Sequence, residues 1–223
     1  YKIDANKGNI ESQIRDVYED TQKKGGNYLI EEFLTVRSSP SVIAVFDDAG
    51  VFPLAQTSQV LHGTKYAGNV IDLNGNTKYI DFVFPLLKDM HAKGYRGQGG
   101  IDLIETNDGS LYICEVNARG TGAFFPASVL SRINESVANY QMNMVRSDTI
   151  KINAFEDHNH FYELLSEFGL EPIHNKGVGI IDINPGKIIS VDNNGKVDAQ
   201  IAILGKNNVE IMKTRQKFIS LFS

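Results

Sequence analysis

A single cysteine, Cys114, stands in the 223 residues, so no internal disulfide can staple the chain. Its neighbours in "LYICEV" are apolar, which predicts a small core residue in a protein of the reducing cytoplasm. No apolar run approaches the roughly 18 residues of a membrane span. No basic-then-apolar leader opens the chain either, and the reading is a soluble protein with no membrane partner. Basic excess is also missing. Lys and Arg number 22 against 27 Asp and Glu, a net charge of −5, so the chain lacks the electrostatic footprint of a nucleic-acid binder. The local run "KTRQK" reads as the wet face of a helix. Internal repeats and low-complexity tracts are absent, and so is an initiator Met, as expected of a processed chain or a fragment.

What is present is a core. Hydrophobic residues make up 42% of the chain, and its length suits one large domain or one domain with a smaller companion. Ile10, Ile14, Val17 and Thr21 recur at helical spacing before Gly25-Gly26, and "NYLIEEFL" has strand composition. "SVIAVFDDAGVFPLAQTSQVL" predicts a hairpin whose Asp-Asp-Ala-Gly turn uses the positive φ open to glycine. A helix is expected over Lys78 to Lys93, with Pro85 as its start or a kink. A second hairpin then runs through "GGIDLIET" and "SLYICEVNAR" about the turn "NDG". A helix over 127 to 145 closes this first domain, 1–147. From 148 to 223 a small α+β domain is expected: a helix at "HFYELLSEFG", strands at "VGIIDI", "KIISV" and "AQIAIL", and a terminal helix over Val209 to Phe222.

The chemistry concentrates in "SLYICEVNARGTG". Side chains alternate along a strand, so Glu115, Asn117 and Arg119 project to one side while Tyr112, Cys114 and Val116 project to the other as core. The hairpin brings Asp102 beside them. Two carboxylates and an amide oxygen are hard ligands of the kind Mg²⁺ prefers, and Mg²⁺ often shares its coordination with nucleotide phosphates. The Arg119 fork suits a phosphate or carboxylate. An exposed sheet edge is the bland alternative for an E-x-N pair alone.

The order of "LIEEFL", "GGIDLIE" and "EVNAR" resembles the carboxy-terminal lobe of the ATP-grasp superfamily. The resemblance implies an α+β fold, an antiparallel sheet with helices, followed by a small α+β domain. It implies that Glu31, Glu32, Phe33 and Leu34 form a hinge around an adenine, and that Asp102, Glu115 and Asn117 hold Mg²⁺ or Mn²⁺. Arg119 would stabilise a transferred phosphate or a substrate carboxylate. Within the superfamily, "SPSVIAVFDDAGVFPLAQTSQVLHGTKYAGN" looks like peptide ligases of the pheganomycin type. That likeness puts Gln59, His62, Tyr66 and Gly68 at the acceptor or nucleotide site. Thr57 and Ser58 depart from the pattern, standing where His and Asp are expected, and inherit no role. The family's phosphate-covering lysine and glycine-rich loop are reduced to "YKIDANKGN". Lys2 is the candidate lysine, and a solvated amino terminus is the alternative.

Three stretches imitate sites without their context. "GYRGQGG" follows a helix and enters a strand, the reverse of a dinucleotide loop. Asp157 in "DHNHF" reads as a helix N-cap with solvated histidines, and Asp47-Asp48 as turn chemistry. The activity implied is ATP-dependent ligation of a small-molecule carboxylate to an amine, an amino acid or peptide, through an acyl phosphate. The lobe that presents the carboxylate is not among these residues. A non-catalytic or regulatory ATP-binding module is the alternative, and homo-oligomerisation stays open.

Overall fold

The computed structural model describes residues 3, 6, 8–27, 31–62, 65–73, 77–136, 143–171 and 178–223. Two compact units divide the chain, Tyr1–Val36 and Arg37–Ser223.

The first unit is built on helix α1 (Ile10–Lys23). Its start is fixed by Asn9, whose side chain accepts the Glu11 N–H at 2.9 Å, and its end by Gly25 at φ +69°. Ile10, Ile14 and Tyr18 form an exposed stripe, and no residue of the helix is buried. The strand expected at "NYLIEEFL" is not found over residues 31–35, and its first part lies outside the described residues. Strand composition only favours a pleated surface, and pairing begins further on, at Val36.

The second unit is a mixed α+β fold on one sheet. Its strands are β1 (Val36–Ser38), β2 (Pro40–Phe46), β3 (Val51–His62), β4 (Lys65–Asp72), β5 (Gly97–Thr106), β6 (Leu111–Asn117), β7 (Met144–Asn153), β8 (Gly179–Asp182) and β9 (Lys196–Gly205). They lie in the order β1-β5-β2-β3-β4-β7-β9-β8, with β6 also paired to β5. Both expected hairpins form, β2–β3 about residues 47–50 and β5–β6 about residues 107–110, and both are antiparallel.

Helix α2 (Lys78–Ala92) carries Pro85 inside it and buries Val83 and Leu87 against Val42, Ala44, Phe46, Ile101 and Leu103. Helix α3 (Phe124–Ser136) covers the opposite face, where Ala127 and Leu130 meet Ile43, Ile71, Val145 and Leu204. Helices α4 (His158–Glu167) and α5 (Asn208–Phe222) share the face of α2 and pack Phe161, Leu165, Ile211 and Phe218 on Ile150, Ile152, Ile201 and Ile203. The alternation along β9 sends Ile201 and Ile203 to one side and Ala202 and Leu204 to the other.

Several expectations are corrected. The helix expected over 127–145 runs from Phe124 to Ser136, with Pro126 tolerated in its first turn, and Met144 and Val145 open β7 instead. The stretch "KIISV" is not a strand: a single 3₁₀ turn occupies Pro185–Lys187, and Ile188 drops into the core beneath α4 and α5. Pro185-Gly186 favours the turn, and Asp192 then takes the Asn194 and Lys196 N–H groups locally at 2.8 and 3.0 Å. Cys114 is exposed, not core. Strand β6 pairs with β5 at the margin of the sheet, and Tyr112, Ile113 and Val116 on it are each almost half exposed. Residues 147 and 148 both lie in β7, whose residues pair with β4 on one side and β9 on the other.

Candidate functional site

One row of directly opposed residues crosses seven strands: Glu115, Asp102, Ser41, Thr57, Ile71, Val145 and Leu204. Its apolar half lies under α3. Its polar half opens into a cavity of about 400 Å³ bordered by Ser41, Asp102, Glu115, Asn117 and Arg119, with Gln59, Tyr66 and Thr121 completing the wall. The sheet register thus brings every carboxylate, amide and guanidinium singled out on the second hairpin to one place.

Local geometry aims these groups. The β5–β6 pairing passes from Asp102↔Glu115 to Leu103↔Ile113, so Cys114 is an extra, unopposed residue. Such a bulge twists a strand and re-aims its neighbours. Asn117 is buried, and its Nδ2 donates to Asp102 Oδ2 at 3.3 Å, which leaves its carbonyl oxygen as a ligand atom. Arg119 stands just past the end of β6, and its Nη1 donates to the Gly120 carbonyl at 3.3 Å. Thr121 packs its methyl over Gly100, where a Cβ would come within 2.6 Å, and its buried hydroxyl has no partner among the described residues.

Tyr66 and Asn69, which line the cavity, are held by a hydrogen-bond network that spacing alone does not reveal. Thr57 Oγ1 donates to Asn69 Oδ1 at 3.0 Å, the Asn69 backbone N–H donates to Ser147 Oγ at 2.9 Å, and Asn69 Nδ2 donates to the Tyr66 hydroxyl. Thr57, Asn69 and Ser147 are all buried. Burial raises the Tyr66 phenol above its ordinary value, hydrogen bonds with Ser147 and Asn69 oppose that, and the nearby Asp102 charge adds to it. At neutral pH Tyr66 is therefore a donor. The signal for Asn69 was an asparagine at an inward position of "YAGNVID", legible only once that stretch is known to be a strand.

Gln59 lines this cavity; Glu31, Glu32, Phe33 and Leu34 belong to the first unit, where Phe33 is 66% exposed. Lys2 and the side chain of His62 lie outside the described residues. Among the described residues no three His, Cys, Asp or Glu side chains gather as a metal cage. The capacity of this face for a cation rests on two carboxylates and one amide oxygen. Those hard donors fit Mg²⁺ or Mn²⁺ when water or phosphate oxygens fill the remaining positions.

Comparison with known proteins agrees with this architecture. No curated protein sequence matches the chain. The biotin carboxylase domain of Hydrogenobacter thermophilus 2-oxoglutarate carboxylase, solved with MgADP, ADP and bicarbonate, superimposes with a TM-score of 0.63 at 11% identity, over 96% of this chain and 53% of that one. An L-amino acid ligase from Bacillus licheniformis gives 0.56 at 12% identity, over 93% and 58%. N5-carboxyaminoimidazole synthase from Aspergillus clavatus, in complex with ADP and 5-aminoimidazole ribonucleotide, gives 0.54 at 12%, over 86% and 53%. The chain spans about half the length of these structures, and at such identities the likeness is one of fold. No helix among the described residues is long and apolar enough to cross a membrane. The family model of the ATP-grasp domain matches residues 2–123, more than half of the chain, which therefore belongs to the ATP-grasp family.

Proposed function

We propose that the chain is the nucleotide- and metal-binding part of an ATP-dependent carboxylate–amine ligase that makes a peptide-like amide. The observation that carries this reading is the meeting of Asp102, Glu115, Asn117 and Arg119 around one cavity. A carboxylate is inert to amines because oxide would have to leave. Transfer of the γ-phosphoryl group of ATP to the carboxylate gives an acyl phosphate and ADP. The amine nitrogen then attacks the acyl carbon, the C–O bond to phosphate breaks, and the amine proton leaves with the phosphate.

Mg²⁺ or Mn²⁺ would supply charge neutralisation at the phosphate oxygens. Asp102 and Glu115 would hold it through carboxylate oxygens and Asn117 through its amide oxygen. Arg119, on a short loop beside the cavity, would offer its fork to the phosphoryl group in flight or to the substrate carboxylate. Glu31 to Leu34 would border the adenine, Gln59 the nucleotide or acceptor, and Lys2 the phosphates. The reaction asks for no nucleophilic side chain, only positioning and electrostatics. The resemblance to pheganomycin-type ligases supports an amino acid or peptide as substrate. It also supports a cytoplasmic setting, where ATP is available.

Titration calorimetry of ATP into the chain, with and without Mg²⁺, tests the reading. Mg²⁺-dependent binding that disappears in Asp102→Ala/Glu115→Ala supports it, and ADP release by the full-length protein with an acid and an amine would establish the ligase. Binding to the full-length protein without any acid-dependent ADP release would favour a regulatory ATP-binding module.

A further inference from the structure

The cavity over the metal strand has a neighbour. A second cavity, of about 110 Å³, opens where β4, β7 and β9 meet, and the two share Tyr66 and Gly122 as a common wall. They lie on the same face of the sheet. Ser147 pairs with Asn69 and Ala202, the latter in the core under α3, and Thr149 and Gln200 follow two residues on in register.

The second cavity differs in chemistry. Ser147, Thr149, Gln200 and the Tyr66 hydroxyl give it hydrogen-bonding groups, and Ile183 gives it an apolar wall. Its one bordering acid, Asp148, points its side chain to the opposite face, where Oδ2 meets Arg146 Nε at 3.0 Å and Arg215 on α5. Among the described residues, therefore, no carboxylate that borders the space faces it. An ammonium entering it would lose water while the nearest counter-charge, Asp102, stays behind the Tyr66 wall, so the neutral amine is favoured there. The neutral amine is the form that attacks an acyl carbon. At about 30 Å³ per water, the space holds an amine head and the first atoms behind it.

We propose that this second cavity is the amine subsite, which takes the head of a small primary amine in its neutral form and delivers it past Tyr66 to the acyl group held over Asp102 and Glu115. The inference rests on the ligase reading above. Gly122 is what lets the wall exist: a Cβ there would stand 2.8 Å from the Tyr66 hydroxyl oxygen and 3.3 Å from its ring carbon. Tyr66 is in turn held by the Asn69 network, so the passage is set by packing and not by a loop.

The test uses the full-length protein, Mg²⁺-ATP, a panel of L-amino acids as the acid, and hydroxylamine as a small amine probe, with ADP and hydroxamate both measured. Hydroxamate formation is expected to saturate with hydroxylamine in the wild type. Thr149→Ile fills the cavity from an exposed strand position that accepts a β-branched residue, and it should raise the KM for hydroxylamine at least tenfold with the KM for ATP within twofold. Gly122→Ala should raise the hydroxylamine KM by displacing Tyr66; should that variant fail to fold, Thr149→Ile carries the test. An unchanged hydroxylamine KM in Thr149→Ile, or an equal rise in both KM values, would overturn the subsite and leave the ligase standing. So would non-saturating hydroxamate formation in the wild type. A wild type that releases no ADP with any acid overturns the ligase reading, and the subsite falls with it.

Discussion

Asp102 stands directly opposite Glu115 across the β5–β6 pair, at the point where Cys114 is bulged out of the ladder. Like charges facing each other across a ladder are unfavourable, so this pair does not serve to hold the strands together. Glu115 is also exposed, so its replacement empties no core. Glu115→Gln should reduce ATP-dependent turnover by a factor on the order of 10²–10³ or more, as when one preorganised charge is removed from a transition state. Its stability should stay within about 0.5 kcal/mol of wild type, as for a surface change. Turnover assays beside urea melts check both halves. Wild-type turnover would dismiss Glu115 as a metal holder.

The same hairpin shows how far the sequence could be read. The turn "NDG" and the alternation in "EVNAR" located the hairpin and gathered Glu115, Asn117 and Arg119 on one cavity, because both are local signals. The alternation misjudged the other side of β6. Whether Tyr112, Cys114 and Val116 are covered depends on what lies over a marginal strand, and that is a property of distant chain. Strand β7 was missed for a related reason. "MVRSDTIKIN" carries Arg, Ser and Asp where a buried strand should be apolar: Arg146 pairs with Asp148 two residues on, and Ser147 and Asp148 find their other partners on distant elements. The network of Thr57, Asn69, Tyr66 and Ser147 belongs to three different strands and has no spacing to betray it.

On the opposite face of β5, Glu105 is 5% exposed and accepts from Lys78 Nζ and Tyr79 Oη at 2.7 Å each and from Ser38 Oγ at 2.8 Å. These bonds, Lys78's first, hold its carboxyl at about 2. A carboxyl with a depressed folded value binds protons more weakly than in the unfolded chain. Its stabilisation is complete above the ordinary value of 4.5 and is lost as the pH falls toward about 2. Urea midpoints measured from pH 6 down to pH 2.5 should fall over that window, and Glu105→Gln should flatten the fall while costing roughly 1–3 kcal/mol near neutrality. An unchanged acid profile in the variant would locate the sensitivity elsewhere.

Gly68 was singled out for a place beside the acceptor or nucleotide, and its backbone gives it a structural task as well. A Cβ at this position would lie 1.9 Å from the Ser147 carbonyl oxygen and 2.7 Å from its carbon, both main-chain atoms that no rotamer change can move. Gly68→Ala must therefore separate β4 from β7, and with them the Asn69–Ser147 bond. The expected cost exceeds the roughly 1–3 kcal/mol of ordinary overpacking. A thermal melt within two degrees of wild type would contradict the close approach.

Asp148 has a fully buried side chain, and its Oδ2 receives both Arg146 and Arg215 while Oδ1 is buried with no partner among the described residues. The two guanidiniums are themselves only 14% and 21% exposed, so the cluster is one carboxylate between two largely desolvated cations. Removing the centre strands both. Asp148→Ala should cost about 3–5 kcal/mol, the range for breaking a buried ion pair from one side. Replacing all three together is a different perturbation, because no uncompensated charge remains. Arg146→Met/Asp148→Leu/Arg215→Met should recover most of that loss, since well-packed apolar side chains of similar volume are often as stable as the ions they replace. Equilibrium unfolding of the single and triple variants separates the two terms. A triple variant no more stable than Asp148→Ala would mean that the cluster ties α5 to β7 by directed hydrogen bonds that packing cannot replace.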